Sequence, residues 1–204
     1  MTPDIIVIDN FYKEPDKVRA MALDSEYMSG AAHNYPGWQS VTSFGVTSVR
    51  DAIEAALGKK INTDSNRFTW GAFRLITEVT GTKTKVHADS GCDWAAMVYL
   101  TPDIMTGTGT GFYQHKETKL FGPPSDAVAR SLGYRNAEEF ETVVIRRDMA
   151  DLSLWQLDSV VSARYNRLVM FRGGNYYHAP MGGTGDGADS ARLTQNFFFD
   201  EVVA

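Results

Sequence analysis

Between Arg67 and Asp200 the chain is a succession of short apolar or alternating runs: "RFTWGAFRLITEV", "WAAMVYL", "TGFYQH", "LWQLDSVV", "RLVMF", "NYYH" and "ARLTQNFFFD". Glycine-rich or polar turns separate them. Strands this short and this closely spaced leave no room for a helical crossover after each one. The spacing therefore favours a sandwich or barrel over a parallel α/β sheet.

Helical signals flank and interrupt that pattern. "EPDKVRAMALDSEY" carries Pro15 near a helix start with Val18, Met21, Ala22 and Ser25 at helical spacing, and "SVRDAIEAALGKK" reads as a second helix. Ser48 and Asp51 read as a capping box and Gly58 as a helix stop. The segment from Pro123 to Ala150 interrupts the strands with "SDAVARSLG" and "NAEEFETVVIRRDM", the latter opening on a capping-box pair, Asn136 and Glu139. The expectation is a mainly β domain with flanking helices. N-terminal helices fall at about 14–58, and a β core spans about 67–200 with a helical insertion at about 123–150. No repeat or linker divides the 204 residues, so one domain is expected.

Charge narrows the class of partner. Lys plus Arg number 20 against 25 Asp plus Glu, a net charge of −5, which disfavours nucleic acid. Cys92 is the sole cysteine, so no intrachain disulfide can form. With no signal-like N-terminus and no apolar run long enough for a bilayer, the expected setting is cytoplasmic and away from membranes.

The chemistry sits in "KVHADSGCDW". In an extended segment residues i and i+2 share a face, so His87 and Asp89 reach one point together. His178, after "RLVMF" and "NYYH", lies on a strand that an antiparallel barrel would set beside the first. Two imidazoles and one carboxylate form the facial set used by non-heme iron oxygenases, leaving open positions on the ion. On the last strand Arg192 and Thr194 share a face by the same period. A guanidinium there can grip a carboxylate in bidentate fashion, and the hydroxyl can add a hydrogen bond. Alternatives stay open on the residues alone. Arg192 is also placed to pair with an acid such as Asp189 or Asp200, His115 in "FYQHKET" is a rival ligand, and His33 sits in a turn-like loop. Neither glycine run, "TGTGTG" nor "GGTGDG", has the sequence of a phosphate loop; both read as mobile turns at the barrel mouth. Cys92 reads as core filler. Trp94, Tyr113, Tyr176 and Tyr177 are candidate pocket walls, and the insertion is a candidate lid.

"HAD", "NRLVMFRGGNYYHAP" and "ARLTQNFFF", in that order, resemble the Fe(II)/2-oxoglutarate-dependent dioxygenase superfamily, nearest its prolyl-hydroxylase-like branch. More narrowly, "GTGFYQHKET" and "RLTQNFFFD" resemble an uncharacterised bacterial and phage-associated family. The resemblance implies a double-stranded β-helix (jelly-roll, cupin-like) core, with iron held by His87, Asp89 and His178. It places 2-oxoglutarate on Arg192 and Thr194, with O2 as the second co-substrate. The retained carboxylate ligand implies hydroxylation or a related oxidation, since halogenating relatives lack it. The substrate class is a peptide, an amino acid or another small molecule, and the oligomeric state is open. A cupin-type metal enzyme without a 2-oxo acid, or a non-catalytic jelly-roll binding module, remains the alternative.

Overall fold

Strand parity decides how the sheets stack. In the strands Trp94–Tyr99 and Arg192–Glu201, side chains alternate between two different environments. Trp94, Ala96, Val98, Leu193, Phe197 and Phe199 face one way into a core closed by helices; Ala95, Met97 and Tyr99 face the other. A sheet apolar on both faces must be covered on both, and the chain supplies a cover for each.

The computed structural model describes residues 4–30, 36–104 and 107–202. Its strands, in chain order, are β1 (Ile5–Ile8), β2 (Tyr27–Ser29), β3 (Trp38–Ser43), β4 (Ile61–Asn62), β5 (Trp70–Ile76), β6 (Trp94–Tyr99), β7 (Gly109–His115), β8 (Trp155–Ser162), β9 (Leu168–Phe171), β10 (His178–Met181) and β11 (Arg192–Glu201). The large sheet runs β1-β9-β6-β11-β5-β3-β2, with β4 added on β11, and every pairing is antiparallel. The small sheet runs β10-β7-β8, and an antiparallel bridge between His87 and His178 adds the His87 segment to its edge. The two sheets face each other in the mainly β, helix-flanked jelly-roll arrangement.

Helices α1 (Pro15–Leu23) and α2 (Thr47–Leu57) cover the outer face of the large sheet through Ala22, Val49, Ile53 and Leu57. Each fully buried aliphatic or aromatic side chain in this layer contributes about 1.5–3 kcal/mol. Gly58 stops α2 in the left-handed conformation, φ 68°. The Ser48/Asp51 capping box does not form. The helix begins at Thr47, which puts Ser48 inside the first turn, and Val46 occupies the cap with no side-chain hydrogen bond.

The insertion covers the outer face of the small sheet. It comprises α4 (Asp126–Ser131), then α5 (Ala137–Phe140), a π turn (Glu141–Ile145) and α6 (Arg146–Asp148), with the one-turn α3 (Glu78–Gly81) earlier in the chain. Asn136 caps α5 by accepting from Glu139 N at 2.9 Å. The reciprocal half of the expected box is absent, because the Glu139 carboxylate accepts from Arg135 N instead. Phe140, Val144 and Ile145 pack on Tyr113, Trp155 and Tyr177.

Several local expectations change. β2 and β3 lie between α1 and α2, where helices alone were expected. "NYYH" is not a strand: a 3-10 turn, Gly173–Asn175, precedes β10, which starts only at His178. The glycine runs are tied down. Half of "TGTGTG" is the beginning of β7, and Thr184 in "GGTGDG" is buried and bonded to Ile76 O and Ser190 O. Among the described residues no helix is long and apolar enough to cross a membrane.

Candidate metal centre

Two backbone hydrogen bonds clamp the first ligand segment to the start of β10: His87 N to His178 O, 3.0 Å, and His178 N to His87 O, 2.8 Å. Opposed residues of an antiparallel pair hold their side chains close on one face, and the imidazole centroids lie 4.7 Å apart. Asp89, two residues on, shares that face and is fixed by its own N–H to Gly173 O at 3.0 Å. Gly173 is required there: a Cβ at that position would sit 2.0 Å from Asp89 Oδ2.

The ring nitrogens are already sorted. His87 Nδ1 lies 3.0 Å from Lys85 O and His178 Nδ1 2.9 Å from Tyr176 O. A carbonyl only accepts, so each Nδ1 carries the proton and each Nε2 presents a lone pair. Those lone pairs converge with the carboxylate: His87 Nε2 is 3.6 Å from Asp89 Oδ1, and His178 Nε2 is 3.5 Å from Oδ2. Every donor atom of the three lies within 4.8 Å of the others. Donors held about 2.1 Å from a common divalent ion lie about 3 Å apart when adjacent, so a small side-chain rotation completes the set.

Protonation agrees. Burial pushes the His178 imidazole down to about 4, so it is neutral at pH 7. Burial alone would raise Asp89, but its electrostatic interactions with His178, His87 and Arg74 outweigh it and bring the carboxyl down to about 2. For His87, burial lowers the pKa and the adjacent Asp89 more than restores it, leaving a net rise. Asp89 Oδ2 is buried with no hydrogen-bond partner. A buried, ionised, unpartnered carboxylate oxygen facing two imidazole lone pairs is a cation's place.

The three donors open into a cavity of about 680 Å³ between the sheets, with Met97, Phe171 and Phe198 among its apolar walls. Arg192, 2% exposed, lines it from β11. Its Nη2 donates to Gly109 O at 3.2 Å, its Cζ lies 5.2 Å from the Tyr99 ring centre, and its Nε has no hydrogen-bond partner. Neither Asp189 nor Asp200 claims it: Asp200 pairs with Arg67 at 3.0 Å, and Asp189 receives Arg19 on its backbone oxygen.

Thr194 lies on the same face of β11 as Arg192, but its hydroxyl accepts from Asn196 Nδ2 at 2.8 Å, and it is Asn196 that lines the cavity. Sequence reasoning missed Asn196, although the alternation that selected Arg192 and Thr194 continues through Asn196 to Phe198. It also missed Arg74, which lies opposite Thr194 on β5 and lines the cavity. The four aromatic wall candidates all pack elsewhere. Trp94 lies in the helix-covered core, Tyr113 and Tyr177 pack under the insertion, and Tyr176 donates to Asp4. Cys92 is half-buried beside Asp89, and burial raises its thiol to about 12.

His115 is no ligand in this arrangement. It is 1% exposed on the outer side of β7, with Nε2 3.1 Å from Asp148 Oδ2 and Nδ1 3.0 Å from Thr118 Oγ1. His33 lies outside the described residues.

A family model matches residues 2–199. The chain belongs to a family of unknown function, DUF6445. No functionally curated protein matches this DUF6445 chain in sequence. Among solved structures it resembles HygX from Streptomyces hygroscopicus, determined with nickel, 2-oxoglutarate and hygromycin B bound. The TM-score is 0.52 at 13% identity, over 97% of this chain and 83% of that one. It also resembles a Trichoplax adhaerens prolyl hydroxylase in complex with a hypoxia inducible factor peptide fragment, with TM-score 0.51 and 12% identity over 96% and 83% of the two chains. At such identities the likeness establishes the fold, that of the double-stranded β-helix dioxygenases. Within that fold this chain carries a possible His-Asp-His metal site.

Proposed function

We propose that this protein is a non-heme Fe(II)- and 2-oxoglutarate-dependent oxygenase, a hydroxylase acting on a small molecule, amino acid or peptide, with the whole chain as one catalytic domain. One observation carries the reading: a buried arginine, Arg192, with an unbonded Nε shares one cavity with the convergent His87, Asp89 and His178. A cation buried without its counter-ion is costly, and a dianionic co-substrate would supply that counter-ion.

His87 and His178 would hold iron through Nε2, each imidazole kept in register by the carbonyl on its Nδ1, and Asp89 would supply the third donor. The bound iron would supply the Lewis-acidic and redox-active centre for oxidising a C–H bond with 2-oxoglutarate and O2. Arg192 would receive the distal carboxylate and so orient the co-substrate's 2-oxo acid end toward the three ligands. Asn196 holds the Thr194 hydroxyl and completes the polar part of that wall. Met97, Phe171 and Phe198 keep the reacting region apolar and limit water.

The test is conversion of 2-oxoglutarate to succinate by Fe(II)-loaded protein in air, with Arg192→Met in parallel. The reading requires turnover in the wild type and its loss in the variant, with metal binding retained. Metal-loaded wild type that forms no succinate would favour metal chemistry without a 2-oxo acid, and equal turnover in the variant would remove Arg192 as the anchor.

A further inference from the structure

The cavity carries more positive charge than the co-substrate needs. Arg74, Lys85, Arg146 and Arg192 line it, against two acids, Asp89 and Glu141, in a chain whose net charge is −5. Asp89 belongs to the metal set. Glu141 accepts a hydrogen bond from Tyr177 Oη at 2.5 Å, and burial raises its carboxyl toward the neutral form. Arg192 is committed by the proposed function. Three further cationic side chains, contributed by three separate elements, line the remaining volume.

The insertion is shaped to present one of them. In an α-helix, residues i and i+5 point roughly 140° apart. Across the π turn Glu141–Ile145, with its i to i+5 hydrogen bond, they come closer to one face. Glu141, Ile145 and Arg146 accordingly all line the cavity, joined by Met149. Arg147, one position on, turns outward and binds Asp148 through Nε–Oδ1 at 2.6 Å and Nη2–Oδ2 at 2.7 Å. Arg146 is exposed to the cavity and has no carboxylate within 4.0 Å among the described residues. On the opposite side Arg74 is held in place, its Nε donating to Gln39 Oε1 at 2.9 Å and its Cζ 5.2 Å from the Phe198 ring centre. Lys85 lines the cavity two residues before His87.

We infer that the primary substrate is a small anionic molecule, bearing a carboxylate or phosphate that is received by Arg146 of the insertion together with Arg74 and Lys85. The cavity volume is in the range of small-molecule sites, and guanidinium forks suit either oxyanion. This rests on the oxygenase reading, which assigns Arg192 to the co-substrate. The π turn is then the device that aims substrate recognition at the metal.

The probes are inorganic phosphate and acetate, titrated in separate arms into anaerobic protein loaded with Fe(II) and 2-oxoglutarate. Paramagnetic relaxation of the 31P signal, or of the acetate methyl protons, reports an anion close to iron, and the visible band of the iron chelate reports that 2-oxoglutarate stays bound. The expected result is saturable relaxation for at least one probe, and the tighter of the two identifies the anionic group. Affinity should fall about tenfold or more in Arg146→Gln and in Arg74→Gln, the loss of one charged hydrogen bond. It should be unchanged in Arg130→Gln, whose side chain pairs with Asp126 on α4 at 3.9 Å. Absence of saturable relaxation with either probe would overturn the inference. So would relaxation that survives both substitutions, which would mean an anion bound to the metal alone. If the chelate band never forms, it is the oxygenase reading that fails, and the same titrations on the Fe(II) form still decide the anion site by the same criterion.

Discussion

Replacing Arg192 with methionine should make the ligand-free protein more stable while abolishing its response to 2-oxoglutarate. The guanidinium is 2% exposed and its Nε is unbonded. Burying an ion without a partner costs several kcal/mol, of which the orphaned donor accounts for about 1–3 kcal/mol. Three contacts offset part of this, the weakest being Nη2 against Met97 Sδ at 4.0 Å. The Nη2 bond to Gly109 O returns about 1.5–3 kcal/mol, and the Tyr99 ring about 1 kcal/mol. Methionine keeps much of the apolar stem contact and fits beside Met97. The balance favours the variant by about 1–2 kcal/mol, which at about 2–4 °C per kcal/mol for a chain of this length raises Tm by roughly 2–8 °C. Calorimetric melts of metal-free protein, then of metal-loaded protein with and without 2-oxoglutarate, measure both halves. At one hundred times Kd the co-substrate should stabilise the wild type by about 2.7 kcal/mol and the variant not at all. A ligand-free variant less stable than wild type by more than about 1 kcal/mol would refute the reasoning, because it would mean the guanidinium is already satisfied by the protein.

Three further outcomes follow from particular contacts. Gly173→Ala should fold yet bind divalent metal at least about tenfold more weakly by calorimetry, since the new Cβ would displace Asp89 from its place; unchanged affinity would remove Gly173 from the account. His115→Ala should keep one metal per chain by elemental analysis while losing stability, because it strips a buried partner from Asp148; loss of metal would revive His115 as a ligand. Asp148 is held below the ordinary carboxylate range first by the Arg147 hydrogen bond and then, against burial, by His115. A depressed folded pKa adds stability above the unfolded value of about 4 and loses it as pH falls through the folded value. Asp148→Asn should therefore cost about 2 kcal/mol near pH 7 and flatten the acid limb of a Tm–pH profile, and an unchanged limb would contradict this.

What the sequence could reveal was set by the range over which each signal acts. The pair His87 and Asp89 is legible because period two is local geometry, and so is the shared face of Arg192 and Thr194. That His178 meets them depends on antiparallel pairing across nearly half the chain, which the strand pattern suggests but only topology delivers through the His87–His178 bridge. Parity read further would have found Asn196, and would have sent Trp94 to the helix-covered face with Ala96 and Val98. β2 and β3 escaped notice because Tyr27–Ser29 and Trp38–Ser43 are short and largely polar, and are ordered by pairing with each other and with β5 rather than by their own patterning. The turn before His178 reads as strand, since "NYYH" has β-forming residues. Its 3-10 form answers to the close approach of Gly173 and Asp89, a tertiary demand that local propensity does not encode.

The decisive measurement is an anaerobic titration of Fe(II)-loaded protein with 2-oxoglutarate, watched for the weak visible charge-transfer band of the iron–2-oxo acid chelate. A saturable band at one co-substrate per chain, missing in His178→Ala and in Arg192→Met, is the predicted result. Fully iron-loaded wild type that develops no band at saturating 2-oxoglutarate would contradict the account.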